Sequence, residues 1–344
     1  MSSLRKEQLI SAFKQLGLYL QQLDEALIAT INTASNANAW FTATEVNKAI
    51  KALAEMLDEL DLEKWFETVE VAKIPKTIGL ILAGNIPLVG FHDVICVLAT
   101  GNIAQIKLSS SDNKLLPFLL NRLCDILPEL KNHIVYAEQL KNFDAVIATG
   151  SNNTSRYFEY YFGKVPNIIR RNRNSVAVIT GNESKAEIKA LGHDILDYFG
   201  MGCRSISKIF IPKNYEIKHF FEPLEPFQDI INHFKYNNNY DYNKSIYLVN
   251  LQTHYDNGFL LLKEDEGLSS PLAVLYYETY DNINEVAEKL TQQEEQIQCI
   301  VSNTVVQNLQ VLPFGQSQHP KLWDYADNVD TVAFLNGLEL GTRD

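Results

Sequence analysis

The chain has 344 residues, more than one ordinary core accommodates and a length suited to two packed domains. Lysines and arginines number 30 against 42 aspartates and glutamates, a net charge of -12; phosphate backbones repel such a chain, which argues against a nucleic-acid partner. The four cysteines, Cys96, Cys124, Cys203 and Cys299, never fall in C-x-x-C spacing, so a disulfide framework, a zinc site and a dithiol redox motif are not expected, and a reducing cytoplasm fits.

Residues 1–23 mix charges throughout and lack a signal-peptide apolar run. Residues 1–70 read as helices, because Leu9, Phe13, Leu16 and Leu20 recur at helical spacing, as do Val46, Ile50, Leu53 and Leu57. Thr42 or Thr44 caps the second of these. From residue 77 the pattern changes. Residues 77–83 are an apolar run short enough for a buried strand, and it stops at Gly84-Asn85. Pro87 suits the first turn of a helix and Gly101 its C-terminal end. The longest apolar region, 78–106, contains Asn85, Pro87, His92, Asp93 and Asn102. Those residues would leave polar groups in lipid, so strand-helix-strand is the better reading than a membrane span. Further strands are predicted at 103–107, 133–136, 144–148 and 175–180. Serines and Asp112 cap a helix carrying Leu115, Leu116, Leu119, Leu123 and Leu127. Another helix follows Thr149-Gly150-Ser151.

This alternation of strand and helix is the signature of a doubly wound parallel sheet. In such sheets ligands sit outside the C-terminal ends of the strands. Asn85, Lys107 and Gly150-Ser151 each fall at such an end. Beyond residue 182 the alternation continues more loosely. Asn182 or Ser184 starts a helix with Ile188, Leu191, Ile195 and Leu196 on one face, and it breaks at Gly200-Met201-Gly202-Cys203. Strands are predicted at 208–211, 245–249, 272–277 and 298–302, with a helix at 283–290. Residues 213–245 are weakly patterned and read as a long surface excursion.

Few of these residues suggest chemistry on their own. Two glycines in front of Cys203 permit tight turns that lift a side chain out of regular packing, and Arg204 places positive charge beside the sulfur, which favours thiolate. The bland reading, a small buried hydrophobe, stands beside the nucleophile reading here. It is kept for the other three cysteines, which lie in apolar periodic segments. Asn85 suits either a helix cap or a donor to a developing oxyanion. Lys107 suits a ribose or phosphate, or simply reaches solvent. Gly150-Ser151 opens a helix whose free N–H groups suit a phosphate, although G-x-G-x-x-G is absent and a plain helix start explains it equally well. His193 reads as structural, and residues 264–266 as a solvated loop.

Taken in order, five segments resemble the aldehyde dehydrogenase superfamily. Gly79-Leu-Ile-Leu-Ala-Gly-Asn-Ile-Pro-Leu88 is similar to its Trp-Asn-x-Pro turn. Ala99-Thr-Gly-Asn-Ile-Ala-Gln-Ile-Lys-Leu-Ser-Ser110 is similar to its Ala-x-Gly-Asn-x-x-x-x-Lys-Pro-Ser-Glu segment. Ala148-Thr-Gly-Ser151 resembles Phe-Thr-Gly-Ser, and Gly200-Met-Gly-Cys203 resembles the Gly-Gln-x-Cys of the nucleophile. Ser270-Pro-Leu-Ala-Val274 resembles Phe-Gly-Pro-Val. Within the superfamily, the short chain and the segment from Leu312 to Asp330 are most similar to the LuxC-like fatty-acyl-CoA reductase family.

The resemblance implies an α/β fold with a Rossmann-like, doubly wound cofactor domain and an α/β catalytic domain. The implied division is a helical cover at 1–70, a cofactor domain at 71–172 and a catalytic domain at 173–310. Residues 311–344 would return to the cofactor domain or form an oligomer interface. It also implies NADPH-dependent reduction of a (long-chain) fatty acyl thioester, acyl-CoA above all, to an aldehyde. Cys203 would accept the acyl group, Asn85 and the Cys203 backbone N–H would hold the oxyanion, Lys107 and Ser110 the adenosine ribose, and Gly150 and Ser151 the cofactor's flank. No metal is implied, and a homo-oligomer is usual for the superfamily.

The departures are informative. The superfamily's water-activating Glu is absent from Ile169-Arg-Arg-Asn-Arg-Asn174, so a thiol or hydride becomes the partner of the acyl-enzyme. Its ribose-binding Glu is replaced by Ser110, which removes repulsion of a 2′-phosphate and favours NADPH over NADH. Ser155 takes the place of a second Gly in the cofactor turn. Glu266 stands one residue away from another family Glu. Two alternatives keep the scaffold, an acyl-phosphate reductase and a CoA-acylating aldehyde dehydrogenase. A third is of another class, a non-catalytic acyl-binding or acyl-transfer subunit.

Overall fold

The computed structural model describes residues 4–150 and 152–340, which fall into two compact units, one of the described residues up to 172 together with those from 319 on, the other of residues 173–318. The first unit opens with helices α1 (Lys6–Gln21), α2 (Glu25–Ala34), α3 (Ala43–Met56) and α4 (Glu59–Phe66). Leu9, Phe13, Leu16 and Leu20 are all buried, so the 3–4 spacing places one stripe of α1 in the core. Of the two candidate caps for α3, Thr42 is the one used; its hydroxyl accepts the Glu45 N–H at 3.3 Å.

The sheet of the first unit follows as β1 (Thr77–Ile81), α5 (Phe91–Ala99), β2 (Ile103–Lys107), α6 (Leu115–Ile126), β3 (Ile134–Tyr136), β4 (Ala145–Thr149), α7 (Asn152–Phe162) and β5 (Asn167–Arg170). The spatial order is β3-β2-β1-β4-β5, with every pairing parallel. The chain winds outward in one direction from β1 and in the other from β4. The topological switch point therefore lies between these two strands, where a doubly wound sheet opens its ligand crevice.

One expectation needs correction here, and one strand was not foreseen. Helix α5 starts at Phe91 and is capped by Gly90, not at Pro87. Pro87 opens a turn over residues 87–90, in which Leu88 stands at φ 60°. Strand β5 carries no sequence signal, because its buried positions alternate between Ile168 and the charged Arg170.

The second unit runs through β6 (Asn174–Val178), α8 (Lys185–Leu196), β7 (Ile206–Pro212), α9 (Ile217–Phe221), a 3₁₀ segment (Glu222–Asn232) and α10 (Phe234–Val249). It continues with β8 (Tyr255–Asp256), β9 (Leu261–Glu264), β10 (Val274–Tyr280), α11 (Ile283–Gln292) and β11 (Ile297–Val301). Its sheet order is β11-β6-β7-β10-β9-β8, parallel except for the antiparallel β8–β9 edge. Alternate residues of β6 and β7 feed two cores. Ala177, Ile209 and Ile211 pack under α8, and Val176, Val178 and Phe210 pack under α11. Ser184 and Glu187 form a reciprocal capping box at the start of α8.

Residues 245–249, expected as a strand, are the last turn of α10. The apolar run misled because it is not the buried face: Leu248 is 57% and Val249 82% exposed. The buried face is Tyr236, Tyr240, Asn243 and Tyr247, at helical spacing. Their polar tips are satisfied, Tyr236 by the Phe259 carbonyl at 3.0 Å, Tyr240 by Asp256 at 2.7 Å and Asn243 by the Leu272 carbonyl at 2.9 Å. After residue 318 the chain re-enters the first unit and closes with α12 (Thr331–Leu340). Among the described residues no helix is long and apolar enough to cross a membrane.

Candidate active site

Cys203 stands between α8 and β7. After Leu196 the chain makes a left-handed excursion, with Tyr198, Phe199 and Gly200 at φ 54°, 59° and 74°. Such angles are costly for bulky residues and persist only where packing enforces them. Here Tyr198 and Phe199 are buried, and Phe199 packs 4.4 Å from the His233 ring. A side chain at Gly200 would be strained by its positive φ and crowded, since a Cβ would lie 3.1 Å from the Ile195 carbonyl. Gly202 follows at φ 142°. A turn closed by the Ser205 N–H on the Gly202 carbonyl at 3.1 Å then carries Cys203 and Arg204.

The thiol so presented is half-buried, in contrast to the buried Cys96 and Cys124. Cys299, expected to be buried like them, is also half-buried. The Cys203 carbonyl accepts a hydrogen bond from Ser175 Oγ at 2.7 Å. Arg204 donates to the Ser317 carbonyl at 3.4 Å. The 315–318 segment is laced beneath this turn. Asp194, fully buried on α8, accepts the Gly315 and Ser317 N–H groups at 2.6 and 2.9 Å, and Gln318 donates to Ser205 at 3.3 Å. Burial pushes the Asp194 carboxyl up, against those two N–H groups, which pull it down. His193 contacts the Asp197 carboxylate at 3.2 Å and sits edge-on to Phe227 at 4.8 Å.

In the first unit, Asn85, Lys107, Ser110 and Gly150 all lie at or just past the C-terminal ends of parallel strands. Asn85 and Gly150 follow β1 and β4, the two strands of the switch point; Lys107 ends β2. Asn85 does not cap α5, whose cap is Gly90, and its exposed side chain makes no hydrogen bond among the described residues. Lys107 is exposed and forms no ion pair among the described residues. Ser110 is exposed as well. Ser151 lies outside the described residues. Gly84 is required sterically, because a Cβ there would sit 2.6 Å from the Ser109 Cβ. Ser155, at the lost-glycine position, is buried at i−3 and i−7 from Phe158 and Phe162, which pack in the core. The replacement therefore falls on the core face of α7.

The loop after β1 is held from below by Asp112. Its Oδ2 accepts the N–H of Leu88, the left-handed residue, at 2.8 Å, while its Oδ1 is buried without a partner. Burial raises the Asp112 carboxyl, opposed by the N–H groups of Leu88, Leu116 and Leu115. The raised native value means that the folded protein holds more protons than the unfolded chain just above the ordinary carboxylate range. Asp112 therefore subtracts stability as pH rises through its native value. Asp112→Asn is expected to gain stability relative to the parent as pH rises above the ordinary carboxylate range, in urea titrations. A relative loss over that rise in pH would show that the loop relies on the charge.

The arginine-rich stretch that replaces the water-activating turn crosses from one unit to the other at Asn172 and Arg173. Arg170 is buried against Asp93, with contacts of 2.6 and 3.3 Å, and Arg171 pairs with Glu159. Sequence reasoning missed Ser175, Asp194 and this ion pair. Only Asp194 left a trace, as a carboxylate within an otherwise apolar helix stripe. Among the described residues no cluster of His, Cys, Asp or Glu is suited to a metal ion.

Comparison with known proteins gives this geometry a family. The chain is similar in fold to Proline Utilization A from Corynebacterium freiburgense (11% identity, TM-score 0.59, 90% of this chain but 38% of that one). It is also similar to aldehyde dehydrogenase 21 from Physcomitrella patens, solved with succinate (12%, 0.57, 88% and 74%). A third neighbour is the glyceraldehyde-3-phosphate dehydrogenase GapN from Methanocaldococcus jannaschii, solved with NADP (13%, 0.55, 88% and 77%). No curated protein sequence matches the chain. The sequence model of the acyl-CoA reductase (LuxC) family matches residues 18–224. The chain thus has the aldehyde dehydrogenase fold and belongs to the acyl-CoA reductase (LuxC) family, oxidoreductases acting on acyl and aldehyde groups.

Proposed function

We propose that the protein reduces a fatty acyl-CoA to the aldehyde through an acyl-Cys203 intermediate, with NADPH as reductant. The observation that carries this reading is the nucleophile turn: a half-buried thiol on a left-handed, glycine-dependent loop at the head of a central strand. Cys203 attacks the thioester carbonyl as thiolate, and the carbonyl electrons move to oxygen. Asn85, its amide unspent, and the Cys203 N–H are assigned to that oxyanion by family resemblance; such donors contribute about 3 kcal/mol each in other enzymes. The CoA thiolate leaves and takes up a proton. No carboxylate occupies the stretch from Ile169 to Asn174; of its three arginines, Arg170 pairs with Asp93, Arg171 with Glu159, and Arg173 donates to the Glu294 and Ile297 carbonyls. Water is thus left without a general base there, which protects the acyl-enzyme for reduction.

A reduced nicotinamide, when bound, supplies the hydride. The first unit fits such a group: the open edge at the switch point, the unpaired Lys107 and the carboxylate-free Ser110 suit a ribose that carries a 2′-phosphate. Gly150, which follows β4, and Ser151 are assigned to the cofactor's flank by family resemblance.

Incubation with a fatty acyl-CoA without cofactor, followed by peptide mass spectrometry, should show one acyl group on the Cys203 peptide. An unmodified Cys203 after prolonged incubation would defeat the reading, and an adduct only from acyl phosphate would reassign the donor. For the cofactor, Ser110→Glu should weaken NADPH by roughly 10- to 100-fold relative to NADH, the size of one like-charge contact. The ratio of kcat/KM values for the two cofactors measures it.

A further inference from the structure

We infer that Ser175 is a positioning residue for Cys203, and that Cys299 sets the direction of its hydroxyl. The inference rests on the acyl-Cys203 reading. Ser175 is the second residue of β6 and fully buried. Its Oγ lies 2.7 Å from the Cys203 carbonyl, 3.1 Å from Cys299 Sγ and 3.2 Å from the Cys299 backbone nitrogen. A hydroxyl has one proton to give. The carbonyl can only accept, so that proton is spent on Cys203. The oxygen must then accept from Cys299, from its N–H and from its S–H. All three bonds point the same way, from Cys299 through Ser175 to the nucleophile's own peptide.

Both sheet ladders yield at this place. The β6–β7 register shifts between Ser175 and Val176, and the β11–β6 register shifts between Ile297 and Ile300. Register shifts of this kind release backbone groups from the ladder and recur beside active sites. Here the released Cys299 N–H turns to the serine. The turn being held needs the tether. Gly200 and Gly202 adopt positive φ, and glycines leave a segment with the most backbone freedom to lose. A fixed carbonyl fixes the 203–204 peptide and, through it, the direction of the Cα–Cβ bond that aims the sulfur. No water can substitute, because the serine is sealed from solvent.

The test compares Ser175→Ala and Ser175→Thr by single-turnover acylation of Cys203 with acyl-CoA, steady-state KM, and the pH profile of Cys203 alkylation by iodoacetamide. Ser175→Ala should slow acylation by roughly 10- to 100-fold, the cost of misaiming a reacting group, with KM for acyl-CoA unchanged and the alkylation profile displaced. Ser175→Thr, which keeps the hydroxyl, should recover most of the rate. Cys299→Ala reads the other end of the chain of bonds and should produce a smaller loss of the same kind. If Ser175→Ala and Cys299→Ala, folded by circular dichroism, acylate at the parent rate, the inference fails. It fails also if Ser175→Thr is as slow as Ser175→Ala. An unacylated parent protein would instead overturn the acyl-Cys203 reading on which it rests.

Discussion

Cys203→Ala is expected to lose acyl-CoA reduction by at least about 10⁴-fold, in line with removal of a covalent nucleophile elsewhere. The size of the loss follows from the absence of a substitute. Burial pushes the Cys96 thiol well above the ordinary range, with the Asp93 charge adding to it, and burial also raises Cys124. Neither supplies thiolate near neutral pH. Cys299 is half-buried, but its thiol is engaged with Ser175. Binding should respond differently. The residues assigned to the cofactor lie in the first unit, whereas Cys203 belongs to the second, so NADPH fluorescence titration of Cys203→Ala should match the parent. Loss of both together would mean that the substitution had unfolded the protein. Retention of reduction would remove Cys203 from the chemistry.

The turn that carries Cys203 was legible in the sequence because glycine reports backbone geometry directly. Gly200 and Gly202 do adopt positive φ, and no tertiary information was needed to suspect it. The parallel sheet of the first unit was legible for a similar reason, since strands buried on both faces are unbroken apolar runs. The residues that failed to show share another property. Their roles depend on partners far along the chain. Ser175 meets a carbonyl 28 residues on and a thiol 124 residues on, and nothing local marks it. The buried face of α10 is tyrosine and asparagine, whose burial is possible only because Phe259, Asp256 and Leu272 supply acceptors. An apolar pattern alone sees the exposed Leu248 and Val249 and reads a strand. The candidate cofactor edge stands between these cases. Strand ends could be located, but the left-handed Leu88 and the late start of α5 follow from Asp112, which takes the Leu88 N–H from across the loop.

Arg170 is the strongest instance of a role invisible to patterning, and its replacement is expected to give the largest loss of stability. Its side chain is 2% exposed and meets Asp93 through two nitrogens, at 2.6 and 3.3 Å. The remaining donors reach the Ala326 carbonyl at 2.5 Å and the Thr331 hydroxyl at 2.9 Å. One guanidinium thus joins the end of β5, the first turn of α5 and the returning segment that leads into α12, all within the first unit. Arg170→Leu keeps the volume but leaves Asp93 buried without its counter-charge, and two acceptors without donors. Breaking a buried pair in this one-sided way costs about 3–5 kcal/mol. For a unit of this size that lowers the melting temperature by roughly 6–20 °C. The double replacement Asp93→Leu with Arg170→Leu removes both charges and should recover part of the loss, because the larger cost lies in the orphaned carboxylate and not in the missing attraction. Thermal melts of the parent, the single and the double variants decide between the two accounts. A double variant no more stable than the single one would show that the orphaned carboxylate is not the larger cost.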